Sequence, residues 1–306
     1  MRARTALLAG IGRLGIPVAE NLAENGWKVA VSYRRGHGSE KAVEALAAGA
    51  EPGSILGIEA SVSDPNEAGR FIASARERLG GADALICLAS GYPDEANDWR
   101  RWERGRGVST GDWHFYQSNF FTARNCALPL LAGLKDRPRE LGIIFFSDTR
   151  SLRYLDSSVS DPYREAGGIA AVDLASVRER GLAQLRESAP LREVNPYTLA
   201  KRDLGYLTRH LALEFGKYGA RINAIAPGPM IPPPGRSEEE AGQAVEETIL
   251  RRWGGTVPIV RAVDYLLSDS YITGETLAVD GGFSLRRRCG ETEPGPRAGQ
   301  GVVNNV

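Results

Sequence analysis

The sequence is poor in the residues that build metal sites and disulfide frameworks: 306 residues hold three cysteines and three histidines. Cys87, Cys126 and Cys289 lie far apart, which excludes a zinc-ribbon spacing and reads as reduced thiols of a cytoplasmic protein. His37, His114 and His210 also stand at no spacing that one metal ion could use, and read as surface or internally satisfied residues. Neither sign of charge is in excess, since 38 Lys and Arg balance 38 Asp and Glu. That argues against nucleic acid or an anionic membrane surface as a partner held by bulk charge. No apolar run approaches the roughly 20 residues of a membrane span, and there is no internal repeat. Arg2, Arg4 and the run Ala6-Leu7-Leu8-Ala9 superficially imitate a signal peptide, but the apolar part is too short and a glycine loop follows it. The 42% of apolar residues is ordinary for a globular protein and suffices for a full core.

Within that composition, short apolar runs alternate with helical periodicity. Strands are expected at Thr5–Ala9, Lys28–Tyr33, Ile55–Ala60, Ala84–Ala89, Leu141–Phe146 and Arg221–Ala226. Helices are expected at Leu14–Asn25, Ser39–Ala48, from Asp64-Pro65 through Leu79, at Asp112–Leu131 and at Pro196–Tyr218. This order implies βαβ crossovers and an α/β fold, a doubly wound parallel sheet covered on both faces. One domain over residues 1–285 accounts for it. Residues 91–111, rich in Trp, Arg and Gly, interrupt the rhythm. So does an insertion at about 150–195, whose middle, Ile169–Glu187, has helical spacing. Trp99, Trp102 and Trp113 read either as a lid or as parts of a solvated loop. From Arg286 the chain reads as a disordered tail.

Two motifs carry chemistry. Tyr197-Thr-Leu-Ala-Lys201 sets a phenol and an ammonium on one face of a helix. A neighbouring cation favours the phenolate and lowers a phenol pKa from about 10, so that tyrosine can give up a proton near neutrality. Gly10-Ile11-Gly12-Arg13-Leu14-Gly15 lies between a strand and a helix. There glycines let a pyrophosphate approach the backbone at a helix N-terminus. After the second strand comes Ser32-Tyr33-Arg34-Arg35, where an NAD site would place an acid about 20 residues beyond the loop. A carboxylate would repel a 2′-phosphate and a guanidinium would bind it, so NADPH is the expected cofactor, with Arg34 ahead of Arg35. The plain alternative is that both arginines are solvated.

With loop, helix and Tyr/Lys pair together, the chain resembles the short-chain dehydrogenase/reductase family. Phe115-Tyr116-Gln117-Ser118-Asn119-Phe120 looks like its central helix with the active-site asparagine. Arg221-Ile222-Asn223-Ala224-Ile225-Ala226-Pro227-Gly228-Pro229 looks like the strand and turn that close over the nicotinamide. Tyr271–Glu275 and Val279–Gly282 look like its C-terminal strand region. The resemblance implies cofactor contacts from Gly10, Gly12, Arg13, Leu14, Gly15, Ala89, Lys201, Pro227 and Gly228. It also implies a homodimer or homotetramer. Several positions are similar to pteridine reductases within that family. Arg13 replaces the middle loop glycine, Asp148 follows Ile143–Ser147 where most relatives have the catalytic serine, and Ser90 and Tyr92 match a serine and a ring that stacks on the pterin. The chain also departs from the family. Its glycine loop is one residue shorter than TGxxxGxG and lacks the threonine, Cys87 and Leu88 replace asparagines, and Ser61 stands where an aspartate often contacts adenine.

The mechanism so implied is hydride transfer to a C=O or C=N group of a small molecule. Tyr197 donates the proton, Lys201 lowers its pKa and holds the ribose, and Asn119 anchors a relay water. Asp148 orients the substrate or supplies a second proton. A carboxylate suits the N–H-rich edge of a dihydropteridine-like heterocycle, whereas a simple ketone needs only a serine. Asp148 could equally cap the first turn of the insertion. A carbonyl or 3-oxoacyl reductase, and a non-catalytic dinucleotide-sensing protein, are the other functions these residues allow.

Overall fold

A computed structural model of the chain describes residues 2–36, 38–90, 113–152, 196–232, 242 and 244–288. His37, Tyr92, Trp99, Trp102, Cys289, the helix expected at 169–187 and the tail beyond 288 lie outside the described residues.

Each of the six expected strands forms, with a seventh at the end: β1 Thr5–Ala9, β2 Lys28–Tyr33, β3 Ile55–Glu59, β4 Ala84–Cys87, β5 Leu141–Phe146, β6 Ala220–Pro227 and β7 Thr276–Val279. They build one parallel sheet in the order β3-β2-β1-β4-β5-β6-β7. Among the described residues the α-helices are α1 Gly15–Glu24, α2 Ser39–Gly49, α3 Pro65–Leu79, α4 in three pieces (Trp113–Tyr116, a π-helical turn Gln117–Phe121, and Thr122–Ala132), α5 Thr149–Leu152, α6 Pro196–Phe215, α7 Val257–Ser268 and α8 Phe283–Arg288.

Alternation along the strands sends side chains to two cores. Leu7, Leu85, Ile143 and Phe145 join the residues of α3, α4 and α6, while Leu8, Ile86, Ile144 and Phe146 join those of α1 and α7. Because β5 is buried on both faces, its apolar run is unbroken. Local signals fix the ends of α3. The Asp64 side chain accepts from the amides of Asn66 and Glu67 at 2.9 Å each, Pro65 occupies the first turn, and Gly80 ends the helix at φ 77°. Such a cap contributes about 1 kcal/mol.

Two departures from the expected boundaries shape the site. β4 stops at Cys87, because the amides of Leu88 and Ala89 both bond the Ala9 carbonyl, at 3.0 and 2.8 Å, and turn the chain out of the ladder. The expected continuous helix at Asp112–Leu131 instead widens into a π-turn around Asn119; such turns recur at functional positions. The apolar stretch Val260–Leu267 belongs to α7, whose Ile259, Val263 and Leu266 are buried in the core against α1 and the sheet. Asn21 of α1 donates to both Asp264 oxygens of α7, at 2.9 and 3.0 Å. The last helix runs through Arg288, three residues into the segment read as a tail.

Candidate active site

From β1 the chain winds outward to β3, then returns to lay β4 on the other side of β1. That reversal opens a crevice at the carboxyl ends of β1 and β4, the place where open α/β sheets bind ligands. The glycine loop crosses it. Gly10 has φ 88°, and a Cβ there would lie 2.6 Å from the Ala89 Cβ, so only glycine fits. Its amide bonds the buried Ser32 hydroxyl at 2.8 Å. Gly12 accepts at its carbonyl from the amides of Gly15 (2.8 Å) and Ile16 (3.1 Å), which starts α1. A Cβ on Gly12 would meet nothing within 4 Å, so the loop presents bare backbone to open space. A cavity of 240 Å³ adjoins it, walled by Gly12, Tyr33, Arg34, Ser61, Ala89 and Ser90, with no carboxylate among its described residues. Bare glycine backbone at a helix N-terminus beside such a cavity fits a dinucleotide.

The two arginines after β2 part company. Arg34 borders that cavity, and Ser39 holds its backbone, donating to the Arg34 carbonyl at 2.9 Å. Arg35 instead pairs with Glu59 at 3.0 Å and reaches Glu40 at 3.8 Å.

At the end of β5, three consecutive residues each hold α6. The Lys201 ammonium donates to the Phe146 carbonyl at 2.6 Å. The Ser147 hydroxyl donates to the Lys201 carbonyl at 2.9 Å. The Tyr197 hydroxyl donates to Asp148 Oδ2 at 3.0 Å. The other oxygen of Asp148 accepts from the Arg150 amide at 2.8 Å and so caps α5. One carboxylate thus caps a turn and accepts from Tyr197 at the same time. Lys201 is 2% exposed, and burial pulls its pKa down to about 8, an effect the nearby Asp148 carboxylate partly opposes. Of its three donors one is used on Phe146, and the nitrogen lies 5.6 Å from the Tyr197 ring centre.

Asp148 opens onto a second, larger cavity of 420 Å³, which Arg13, Leu14, Pro227 and Gly228 also border. Gly228 must be glycine, for a Cβ would sit 2.6 Å from that of Asp280, and its amide bonds the Val279 carbonyl at 3.0 Å. Arg13 donates to the Pro232 carbonyl. Asn119 and Ser90 form a separate pair. The Ser90 hydroxyl donates to Asn119 Oδ1 at 2.7 Å, and Asn119 Nδ2 donates to the Phe115 carbonyl at 2.8 Å across the π-turn. Ser90 therefore meets Asn119 at the glycine-loop cavity, whereas Asp148 borders the larger one. Cys87, beneath them, is a buried thiol whose pKa is pushed up by burial and then by Cys126, as packing rather than reactivity requires.

Sequence reasoning missed Ser147, Trp253 and Phe283. Ser147 stands one residue from Asp148, and a buried serine at a strand end has no periodic signature. Trp253 and Phe283 border the larger cavity from segments 56 and 86 residues beyond Tyr197. The only local hint is a tryptophan set against Gly254-Gly255.

A family model described as enoyl-(acyl carrier protein) reductase matches residues 8–105 and 181–284. An uncharacterized oxidoreductase of Escherichia coli, YohF, is 39% identical over 108 residues, which are 34% of this chain and 43% of that protein. Dehydrogenase/reductase SDR family member 4 of Oryctolagus cuniculus is 26% identical over 89% of this chain and 90% of its own length. Levodione reductase of Leifsonia aquatica is 26% identical over 92% and 94%. Among solved structures, a short-chain dehydrogenase/reductase from Serratia marcescens superposes with a TM-score of 0.68 at 20% identity, covering 92% of this chain and 98% of that one.

Proposed function

The chain belongs to the short-chain dehydrogenase/reductase family, oxidoreductases that use a nicotinamide dinucleotide, and from that premise we propose that it is an NADPH-dependent reductase of a small C=O or C=N compound. The observation that carries the reading is the Tyr197 hydroxyl held at 3.0 Å on Asp148, which borders the 420 Å³ cavity, with Lys201 buried one turn along the same helix.

When bound, the reduced nicotinamide supplies the hydride. Gly10, Gly12, Gly15, Ala89, Pro227 and Gly228 would border the dinucleotide, and Lys201 would hold the nicotinamide ribose. The remaining steps belong to side chains. Tyr197 gives its proton to the oxygen or nitrogen that gains charge as the neighbouring carbon is reduced, and the Lys201 ammonium stabilises the phenolate left behind. Asn119, fixed by Ser90, anchors the water that returns a proton. Asp148 Oδ2, freed when Tyr197 turns to the substrate, accepts from an N–H beside the reacting bond. That preference points to a dihydropteridine-like heterocycle. A carbonyl or 3-oxoacyl reductase is the second reading. The apolar Met230, Ile231 and Trp253 in the cavity wall support it, as does the likeness to levodione reductase. Arg34 beside the glycine-loop cavity supports NADPH over NADH. The protein acts as a homodimer or homotetramer in the cytoplasm.

The test is NADPH oxidation by the purified protein against dihydropteridines, quinones, ketones and 3-oxoacyl thioesters, with NADH in parallel. NADPH binds at least tenfold more tightly, and Arg34→Asp narrows the gap. Equal affinities contradict the cofactor assignment, and failure to turn over any dihydropteridine contradicts the heterocycle.

A further inference from the structure

We propose that Trp253 is the specificity-determining wall of the larger cavity, and that it selects substrates whose reducible group is conjugated with a flat ring. This rests on the reductase reading above.

The wall is built rather than incidental. Residues 250–255 form a strap clamped at both ends. The Leu250 amide bonds the Gly281 carbonyl at 3.0 Å, and the amides of Gly254 and Gly255 bond the Pro229 and Met230 carbonyls at 3.1 and 2.8 Å. The strap is close-fitting, since a Cβ on Gly254 would lie 2.5 Å from Met230 Cε and 2.8 Å from its sulfur. It turns through Arg251 at φ 47°, the one non-glycine residue with positive φ among those described. Such a conformation costs about 1–3 kcal/mol and persists only where its surroundings dictate it. What this strained strap delivers is the indole of Trp253, bordering the same cavity as Asp148. Trp253 is only partly buried, unlike Phe283 across the site, which is 2% exposed and lies 5.9 Å from the Arg150 guanidinium. An indole that is only partly buried and borders a cavity gains from a ligand that covers its face, and a planar ring does so with both area and quadrupole.

The probes are 1-tetralone and 1-decalone, ketones on one carbon skeleton that differ in whether a ring is aromatic. The ratio of their kcat/KM values, flat over saturated, falls by about tenfold in Trp253→Ala and returns to within about twofold in Trp253→Phe, the size expected for loss of one ring stack. An unchanged ratio in Trp253→Ala overturns the proposal while leaving the reductase reading intact. Where neither ketone is reduced, the choice of ketone reduction fails, and stacking is measured directly by saturation-transfer NMR of 1-tetralone on the protein with NADP⁺. A signal that drops in Trp253→Ala supports the wall, and equal or absent signals overturn it.

Discussion

Two clusters, each of a tyrosine, an aspartate and a cation, meet at α6 and differ in their surroundings. In one, the Tyr197 hydroxyl donates to Asp148, with Lys201 one turn along. In the other, the Tyr116 hydroxyl donates to Asp203 Oδ2 at 2.9 Å, and Arg202 forks onto Asp203 Oδ1 at 2.9 and 2.7 Å. Both tyrosines are 4% exposed. The difference lies in the acid and the cation. Asp203 is fully buried and shares its oxygens between two fixed donors, whereas Asp148 borders a cavity. Burial opposes the charge on Arg202, but the Asp203 carboxylate more than offsets it and holds the guanidinium charged. The Lys201 ammonium bonds only a neutral carbonyl, and its pKa falls to about 8. Tyr116 is pushed well above the ordinary phenol value, first by burial and then by Asp203. A tyrosine, an acid and a cation make a structural lock where the acid is fully buried; where the acid borders a cavity, as Asp148 does, a like trio suits the chemistry proposed above.

Removing either acid tests the contrast most severely. Asp203→Ala strands a buried guanidinium and lowers unfolding free energy by about 3–5 kcal/mol in urea. Asp148→Ala loses a short cap and one hydrogen bond and costs about 1 kcal/mol. Equal losses would erase the distinction. Next in size is the pH response of Lys201. Between about pH 8 and 10 the unfolded chain binds more protons than the native one at this residue. Its contribution therefore makes stability rise with pH, by up to about 1.4 kcal/mol per unit. Catalysis runs the other way and declines as the ammonium is lost above about pH 8. Urea titrations at pH 8 and 9 check the first sign, with Lys201→Met removing the slope, and a kcat profile checks the second. Smallest in its effect on turnover is Tyr116→Phe, which removes one of the donors of Asp203, lowers stability by about 1–3 kcal/mol and leaves kcat within about twofold.

The fold was legible because the strands of a parallel sheet, buried on both sides, carry continuous apolar runs: Leu141–Phe146 was delimited to the residue. The first turn of the site was equally legible, since Gly10–Gly15 and the Tyr197/Lys201 spacing are local patterns. The Arg202/Asp203 lock was not. A charged pair in a helix ordinarily reads as a solvated face, yet residues 196–208 are buried around the whole circumference of α6. The acceptor for Tyr116 lies 87 residues away. The π-turn at Asn119 escaped for another reason: it changes hydrogen bonding without changing periodicity enough to show in a sequence. Arg34 ranked ahead of Arg35 in sequence, but that Arg35 turns to Glu40 and Glu59 could not be read there.

The most direct measurement is the single-turnover rate of hydride transfer from NADPH to the best substrate of the panel, compared between Tyr197→Phe and Tyr116→Phe. The account predicts that Tyr197→Phe slows it at least about a hundredfold with cofactor affinity nearly intact, while Tyr116→Phe reacts at close to the native rate. A Tyr197→Phe protein that transfers hydride as fast as the native one would contradict it.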